Sequence, residues 1–248
     1  MEGKYLIVIP YITGESQGNE LRYCIAGWRQ HFKEPYHIAL VGDYHKVVET
    51  GDDITYIRCP RIKKTRSDQY LCHLDFVNKF TAALHEFPNT NGFIFCCDDY
   101  YAVNDFDIND VKSWKYIGES NFSHNSHNHW QRDKAKTADK LREEGYTTLN
   151  YTTHLPQWYE WDKLLMLWNK YNMASESYVM EDLYYNIYHK DEPLIQLAKD
   201  DNIKLGIYEK NVSAQTIRDA LKTKIWINNS VKGWSPMLGQ ILKEHYRL

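Results

Sequence analysis

Long apolar runs are missing from this sequence. No segment of its 248 residues approaches the ~18 consecutive apolar residues that a membrane span requires. Cysteine is sparse: the five form neither a CxxC zinc pattern nor an even disulfide framework, with Cys24, Cys59 and Cys72 scattered and Cys96 and Cys97 adjacent. No signal peptide precedes KYLIVIP, so a reduced, cytoplasmic setting is the expectation. A basic excess is missing too. Thirty Lys and Arg against 33 Asp and Glu give a net charge of −3, which argues against a general nucleic-acid binder. One local exception is RIKKTR, 61–66. Internal repeats, low-complexity linkers and a clear domain boundary are absent as well, so residues 1–248 read as one domain.

What the chain has in excess is aromatic: 20 Tyr and 8 Trp, rings that fill cores and also line sugar and base pockets. YLIVIP, 5–10, reads as a buried strand, short, continuous and stopped by Pro10. After a loop with Gly14 and Gly18, a helix starts at Asn19, with Leu21, Ile25 and Trp28 on one face. HIALVGD, 37–43, and ITYIRC, 54–59, are further strands, a helix runs from about Ser67 to His85 with Thr65 and Asp68 as a capping box, and GFIFCC, 92–97, is the next strand. Strand and helix thus alternate over the first hundred residues, which predicts an α/β fold with a mostly parallel sheet covered on both faces.

The second half is less regular. SHNSHNHWQRD, 123–133, reads as a polar loop, and KTADKLREEG, 136–145, as an exposed helix. Helices at 161–171, 181–189 and 235–246 and a strand at 224–228 complete the expectation, the last helix opening with Ser235 and Pro236.

Ligands in open α/β sheets sit beyond the carboxyl ends of the strands, where Asp98 and Asp99 follow the strand at 92–97. Two adjacent carboxylates repel each other and need donors, solvent or a cation. Hard oxygen ligands there suit Mg²⁺ or Mn²⁺ bridging to a diphosphate, in glycosyl or phosphoryl transfer. The alternative is that one aspartate caps a turn and the other is solvated. Because successive side chains on a strand diverge, both reach one ion only where the strand has turned. DFD, 105–107, spaces its carboxylates better, but no buried strand delivers it to the sheet edge. In the basic run, Arg66 is the candidate for substrate phosphates, against a solvated face. His124, His127 and His129 read as polar loop rather than as zinc ligands, and His154, ahead of Pro156, is a candidate general base or metal ligand.

Several of these segments together resemble the Stealth family of sugar-phosphate transferases. NELRYCIAGWRQHF, 19–32, with HIALVGD is similar to that family's first helix and next strand. FIFCCDDYYAV, 93–103, resembles its strand ending in two aspartates. THLPQWYEWDKLLMLW, 153–168, resembles its His-x-Pro segment with the helix behind it, and KIWINNS, 224–230, its closing strand. The resemblance implies a nucleotide-diphospho-sugar transferase fold of the GT-A kind, a divalent cation at Asp98 and Asp99, a catalytic or metal-proximal His154, and Glu20 and Arg22 bracing the site or meeting a phosphate. The chain departs from the family in its opening turn (PYITGES, 10–16), in lacking an arginine in SYVMED, 177–182, and in placing Asn229 where the closing pair has aspartate. The remaining residues fit transfer of the sugar alone better than transfer of a sugar 1-phosphate.

The expectation is therefore a metal-dependent glycosyltransferase taking a nucleotide-sugar donor and a glycan or other small acceptor. Residues 1–110 form its nucleotide-binding half and 111–248 its acceptor side. Pro10, Tyr11, Thr13, Arg22, Arg66 and Asp98 would hold nucleotide and phosphates, and His154, Asp68 and Glu181 would activate or orient the acceptor. The rival expectations are a Stealth-type sugar-1-phosphate transferase, an inactive glycan-binding module, and a glycosyltransferase acting on modified DNA bases.

Overall fold

The computed structural model describes residues 3–62, 72–199 and 202–248. Its first half runs β1 (Tyr5–Tyr11), α1 (Glu20–His31), β2 (Tyr36–Gly42), β3 (Ile54–Arg58), α2 (Cys72–Glu86), β4 (Gly92–Phe95) and β5 (Tyr100–Ala102). There follow α3 (Ile108–Lys112), β6 (Trp114–Tyr116), α4 (His129–Glu143), β7 (Gln157–Glu160), α5 (Trp161–Lys170) and α6 (Met180–Tyr188). The chain closes with β8 (Leu194–Gln196), β9 (Lys204–Ile207), α7 (Ala214–Thr223), β10 (Trp226–Asn229) and α8 (Pro236–Tyr246).

The main sheet has the order β3-β2-β1-β4-β7. β1 pairs in parallel with β2 and β4, and β2 with β3, while β7 closes the edge antiparallel to β4. The expected α/β sheet is present, and its central strands are the continuous apolar runs. Leu6, Ile7, Val8 and Ile9 are fully buried, as are Phe93 and Ile94, because helices cover both faces. Burying each such side chain contributes about 1.5–3 kcal/mol. Phe93 stacks on Trp161 at 4.3 Å between ring centroids and ties the first turn of α5 to the sheet. β2 ends at Gly42, which has φ +142; a side chain there would meet the Tyr11 carbonyl oxygen at 2.0 Å. Only glycine lets the two strands stay this close as they leave the sheet.

A second sheet, β5-β10-β9, packs behind α1. Its contact is tight at Gly27, where a Cβ would lie 2.9 Å from the backbone of Ala102. Trp28 fills the space between the layers, 5.1 Å from Phe106 and 5.9 Å from Trp226.

Several expectations need correction. The fourth strand ends at Phe95, after which Cys96 makes one more backbone bond to Val8 at 3.1 Å and Asp98 and Asp99 lie in a turn. The strand has therefore turned before the carboxylates, the condition for their sharing a ligand. The segment 129–133 is helix rather than loop, since α4 starts at His129, capped by the Asn128 side chain accepting from Trp130 N at 2.9 Å. Nor is α4 wholly exposed. Lys134, Ala135, Thr137, Ala138 and Leu141 form a buried stripe, with Lys134 Nζ 2.7 Å from Asp182 on α6. DFD is structural: Asp107 caps α3, accepting from Asn109 N and Asp110 N, and Asp105 pairs with Lys33 at 2.7 Å. Asn19 precedes α1 without a side-chain cap. The capping box expected at Thr65 and Asp68 falls outside the described residues.

Candidate active site

β1 and β4 deliver their carboxyl ends side by side, and a cavity of about 770 Å³ opens beyond them. From the first half, Pro10 and Ile12 leave β1, Asp98 and Asp99 leave β4, and Glu20 begins α1. Thr153 and His154 lead into β7, Glu181 opens α6, and His127 to Trp130 open α4. Six of the residues singled out in the sequence therefore meet here: Pro10, Glu20, Asp98, Asp99, His154 and Glu181. Tyr11 is buried behind the wall, its pKa raised by burial, with Thr13 opposing and the Asp98 charge adding. Thr13 is exposed on the loop, where its N–H donates to Asp43 at 2.9 Å, and Arg22 is exposed on α1; neither lines the cavity. Arg66 and Asp68 lie outside the described residues.

The floor is an anionic cluster. Glu20 is only 3% exposed, and its carboxylate accepts from Asn229 Nδ2 at 2.6 Å and from Gln17 N at 2.5 Å. Asn229 in turn accepts from the Tyr101 hydroxyl at 2.6 Å. Burial pushes the Glu20 pKa up to about 7 despite these donors, and the Asp98 charge adds to the rise. Asp99 is held well above the ordinary carboxylate range by burial, then by Asp98 and Glu20, with Lys204 opposing. Asp98 is raised by burial and by Glu15, with Ser16 pulling the other way. The Asp98 charge thus reaches both Glu20 and Asp99, so the three carboxyl groups influence one another.

Such oxygens are hard donors that fit Mg²⁺ or Mn²⁺. Among the described residues, no three His, Cys, Asp or Glu side chains form a closed cage for an ion. Mg²⁺ ordinarily takes only one or two carboxylates and completes its shell with water and substrate phosphates.

His154 sits in the left-handed region, φ +52, in the bend before β7. Its ring meets Tyr100 edge-on at 6.2 Å and Tyr208 at 6.1 Å. The ring opens onto the cavity, yet the protein enclosing it, with the Lys204 and Lys134 charges, pushes its pKa down to about 4. The imidazole is neutral at pH 7. The backbone and side-chain roles separate by substitution. His154→Asn should keep stability within about 0.5 kcal/mol, because asparagine tolerates this conformation, whereas His154→Val should lose about 1–2 kcal/mol in urea denaturation.

Lys204 went unnoticed in the sequence. Its ammonium bonds the Thr153 carbonyl at 2.6 Å, the Tyr208 hydroxyl at 3.2 Å and Asn228 Oδ1 at 3.3 Å, latching the His154 bend to β9 and β10. Burial pushes its pKa down to about 8, against the pull of Asp99. An isolated lysine on a short strand carries no pattern that would have exposed it. His127 and His129, which read in the sequence as polar loop, line the cavity together with Trp130. Asp182, beside Glu181, is structural: it accepts from Lys134 and from Tyr151 N at 2.8 Å.

No protein-family model matches the sequence, and neither does any curated protein. The Stealth likeness remains one of motifs. Among solved structures, the chain aligns over 99% of its length with 50% of the bifunctional glycosyltransferase WbbM, at 10% identity and a TM-score of 0.53. It also aligns over 99% of its length with all of a glycosyltransferase involved in glycosylation of the major capsid of PBCV-1, at 11% identity and a TM-score of 0.41. A third alignment covers the whole chain and 61% of the glycosyltransferase GlyE of Streptococcus pneumoniae TIGR4, at 10% identity and a TM-score of 0.41. The chain thus spans half the length of WbbM and less than two thirds of GlyE. Only the first likeness is strong enough to carry an argument, and at such low identity the argument concerns architecture. The chain has the parallel-rich α/β fold shared with half of a bifunctional glycosyltransferase.

Proposed function

We propose that this chain is a glycosyltransferase moving a sugar from a nucleotide-sugar donor to an acceptor hydroxyl, with a divalent cation at Asp98 and Asp99. The observation that carries the reading is the convergence of Glu20, Asp98 and Asp99 at the carboxyl edge of the sheet, facing one cavity with His154 and Glu181. The shared fold with WbbM supports it. Residues 1–110 supply the donor side, with Pro10 and Ile12 against the nucleotide, and 111–248 supply the acceptor side.

Asp98 and Asp99 would hold Mn²⁺ or Mg²⁺, whose charge would offset that developing on the departing diphosphate. The protein's own groups do the rest. The acceptor oxygen forms a bond to the anomeric carbon as the bond from that carbon to the diphosphate breaks, its electron pair leaving with the phosphate. The acceptor proton passes to the Glu181 carboxylate. Burial raises the pKa of Glu181, with His73 and Lys134 opposing, and a raised carboxyl pKa makes a stronger base. Neutral His154 orients the acceptor by hydrogen bonding, held in place by the Lys204 latch. Asp68 stays a candidate for the same acceptor chemistry.

Titration calorimetry with uridine and guanosine diphosphates, with Mn²⁺ and then with excess chelator, tests this reading. Metal-dependent binding of at least one nucleotide is the expected result, weakened about tenfold or more by the chelator. Binding of neither nucleotide under either condition would count against the proposal. In turnover with nucleotide sugars, release of a nucleoside diphosphate marks sugar transfer, whereas a monophosphate would mark sugar-phosphate transfer.

A further inference from the structure

The first turn of α4 brings an aromatic ring to the cavity beside Glu181. Trp130 lies one helical turn before Lys134, whose ammonium sits 5.1 Å from the Trp130 ring centroid and is bonded to Asp182 at 2.7 Å. Asp182 adjoins Glu181, so two helices hold the ring and the carboxylate in one fixed relation. Phe122 meets the same ring edge-on at 5.4 Å. Lys134 and Phe122 thus hold Trp130 from the protein side, while the half-buried residue lines the cavity. A ring braced in this way has lost its rotamer freedom before any ligand arrives, which removes part of the usual cost of binding.

The surrounding wall is polar and nearly without fixed charge. Among the described lining residues from 111–248, Asn128, Thr152, Thr153 and Gln157 offer neutral donors and acceptors, Glu181 is the one carboxylate and no Lys or Arg is present, whereas Arg61 and Asp75 line the same cavity from residues 1–110. An apolar face ringed by neutral polar groups matches the chemistry of a sugar ring, which has C–H bonds on one face and hydroxyls around its edge. An anionic acceptor would find no Lys or Arg among the described lining residues from 111–248 and would face Glu181.

We propose that Trp130 is the stacking platform of an acceptor subsite for an uncharged carbohydrate. The subsite deepens the glycosyltransferase reading and rests on it for its role as an acceptor site, though sugar binding can be measured independently. The test uses saturation-transfer NMR and calorimetry with neutral trisaccharides (maltotriose, cellotriose, chitotriose and mannotriose) against trigalacturonic acid as the anionic probe. The expected result is that a neutral trisaccharide binds and the anionic one does not. Trp130→Ala should weaken that binding about tenfold, and Trp130→Phe about threefold or less, in line with the energy of one stacked ring. Uridine and guanosine diphosphate affinities should stay within about twofold in both variants, with melting temperature checking that each is folded.

Loss of nucleotide affinity in folded Trp130→Ala would overturn the proposal, since the ring would then hold the base. Preference for the anionic probe, no binding of any neutral trisaccharide, or unchanged sugar affinity in Trp130→Ala would overturn it equally. Sugar binding through Trp130 without nucleotide binding would sink the enzyme reading and leave the sugar site standing. Nucleotide binding with an indifferent Trp130 would do the reverse.

Discussion

Asp98→Asn and Asp99→Asn are each expected to reduce sugar transfer by a factor on the order of 10²–10³, while leaving the protein as stable as the parent or more so. The two halves of that expectation come from one cause. Burial holds both carboxyl groups above the ordinary range, with Glu15 adding to the rise at Asp98 and Asp98 and Glu20 adding to it at Asp99, so in the absence of a cation their negative charge opposes folding. Asparagine keeps the shape and removes the charge. It relieves the repulsion around Glu20 and also removes an anionic oxygen that would draw the cation. A gain of about 1 kcal/mol, read by urea denaturation without metal, should accompany the loss of metal-dependent nucleotide binding. A purely structural pair of aspartates would behave in the opposite way, losing stability and leaving nucleotide binding intact. Should both variants still bind nucleoside diphosphate in a chelator-sensitive manner, the cation lies elsewhere.

The largest stability effect is expected at Lys134. This ammonium is fully buried, and it bonds Asp182 at 2.7 Å and Asn150 Oδ1 at 2.6 Å. Burial lowers its pKa, with Asp182 holding it charged. Lys134→Met leaves the Asp182 carboxylate enclosed at 1% exposure without a counter-charge, and the expected cost is about 3–5 kcal/mol in chemical denaturation. Adding Asp182→Asn removes the stranded charge while keeping an acceptor for Tyr151 N, so the double variant should recover at least half of the loss. If the second substitution instead deepens the loss, the pair stabilises through its bonds to neighbours rather than by balancing two buried charges.

The part of the molecule that was legible in the sequence is the part whose physics is local. YLIVIP and GFIF read as strands because parallel strands buried on both faces are continuously apolar. The last helix was legible from its cap, where Ser235 accepts from Leu238 N at 3.2 Å and Pro236 takes a position that needs no donor. By contrast, β5, β6, β8 and β9 are three or four residues long, too short for any alternation to show. Their stability comes from partners distant in the chain. The start of α4 was hidden because its first turn is polar and rich in histidine, although Asn128 was a usable cap signal.

The site divides along the same line. Asp98 and Asp99 stood out because an anionic pair ends an apolar run, and His154 because proline follows closely. The bond from Asn229 to Glu20 joins residues 209 positions apart, so no local pattern announces it. The resemblance pointed to both ends of that contact without showing that they touch.

The position of β4 within the sheet has a consequence for how substrates are told apart. It is bonded on one side to β1, which leads to Pro10 and Ile12 on the proposed donor wall, and on the other to β7, which follows the His154 bend. The proposed donor and acceptor walls therefore share a single hydrogen-bonded frame. Fit to a longer or bulkier partner must come from the side chains at the ends of those strands. Changes on the β1 side and changes on the β7 side should thus alter the choice of one substrate without retuning the other.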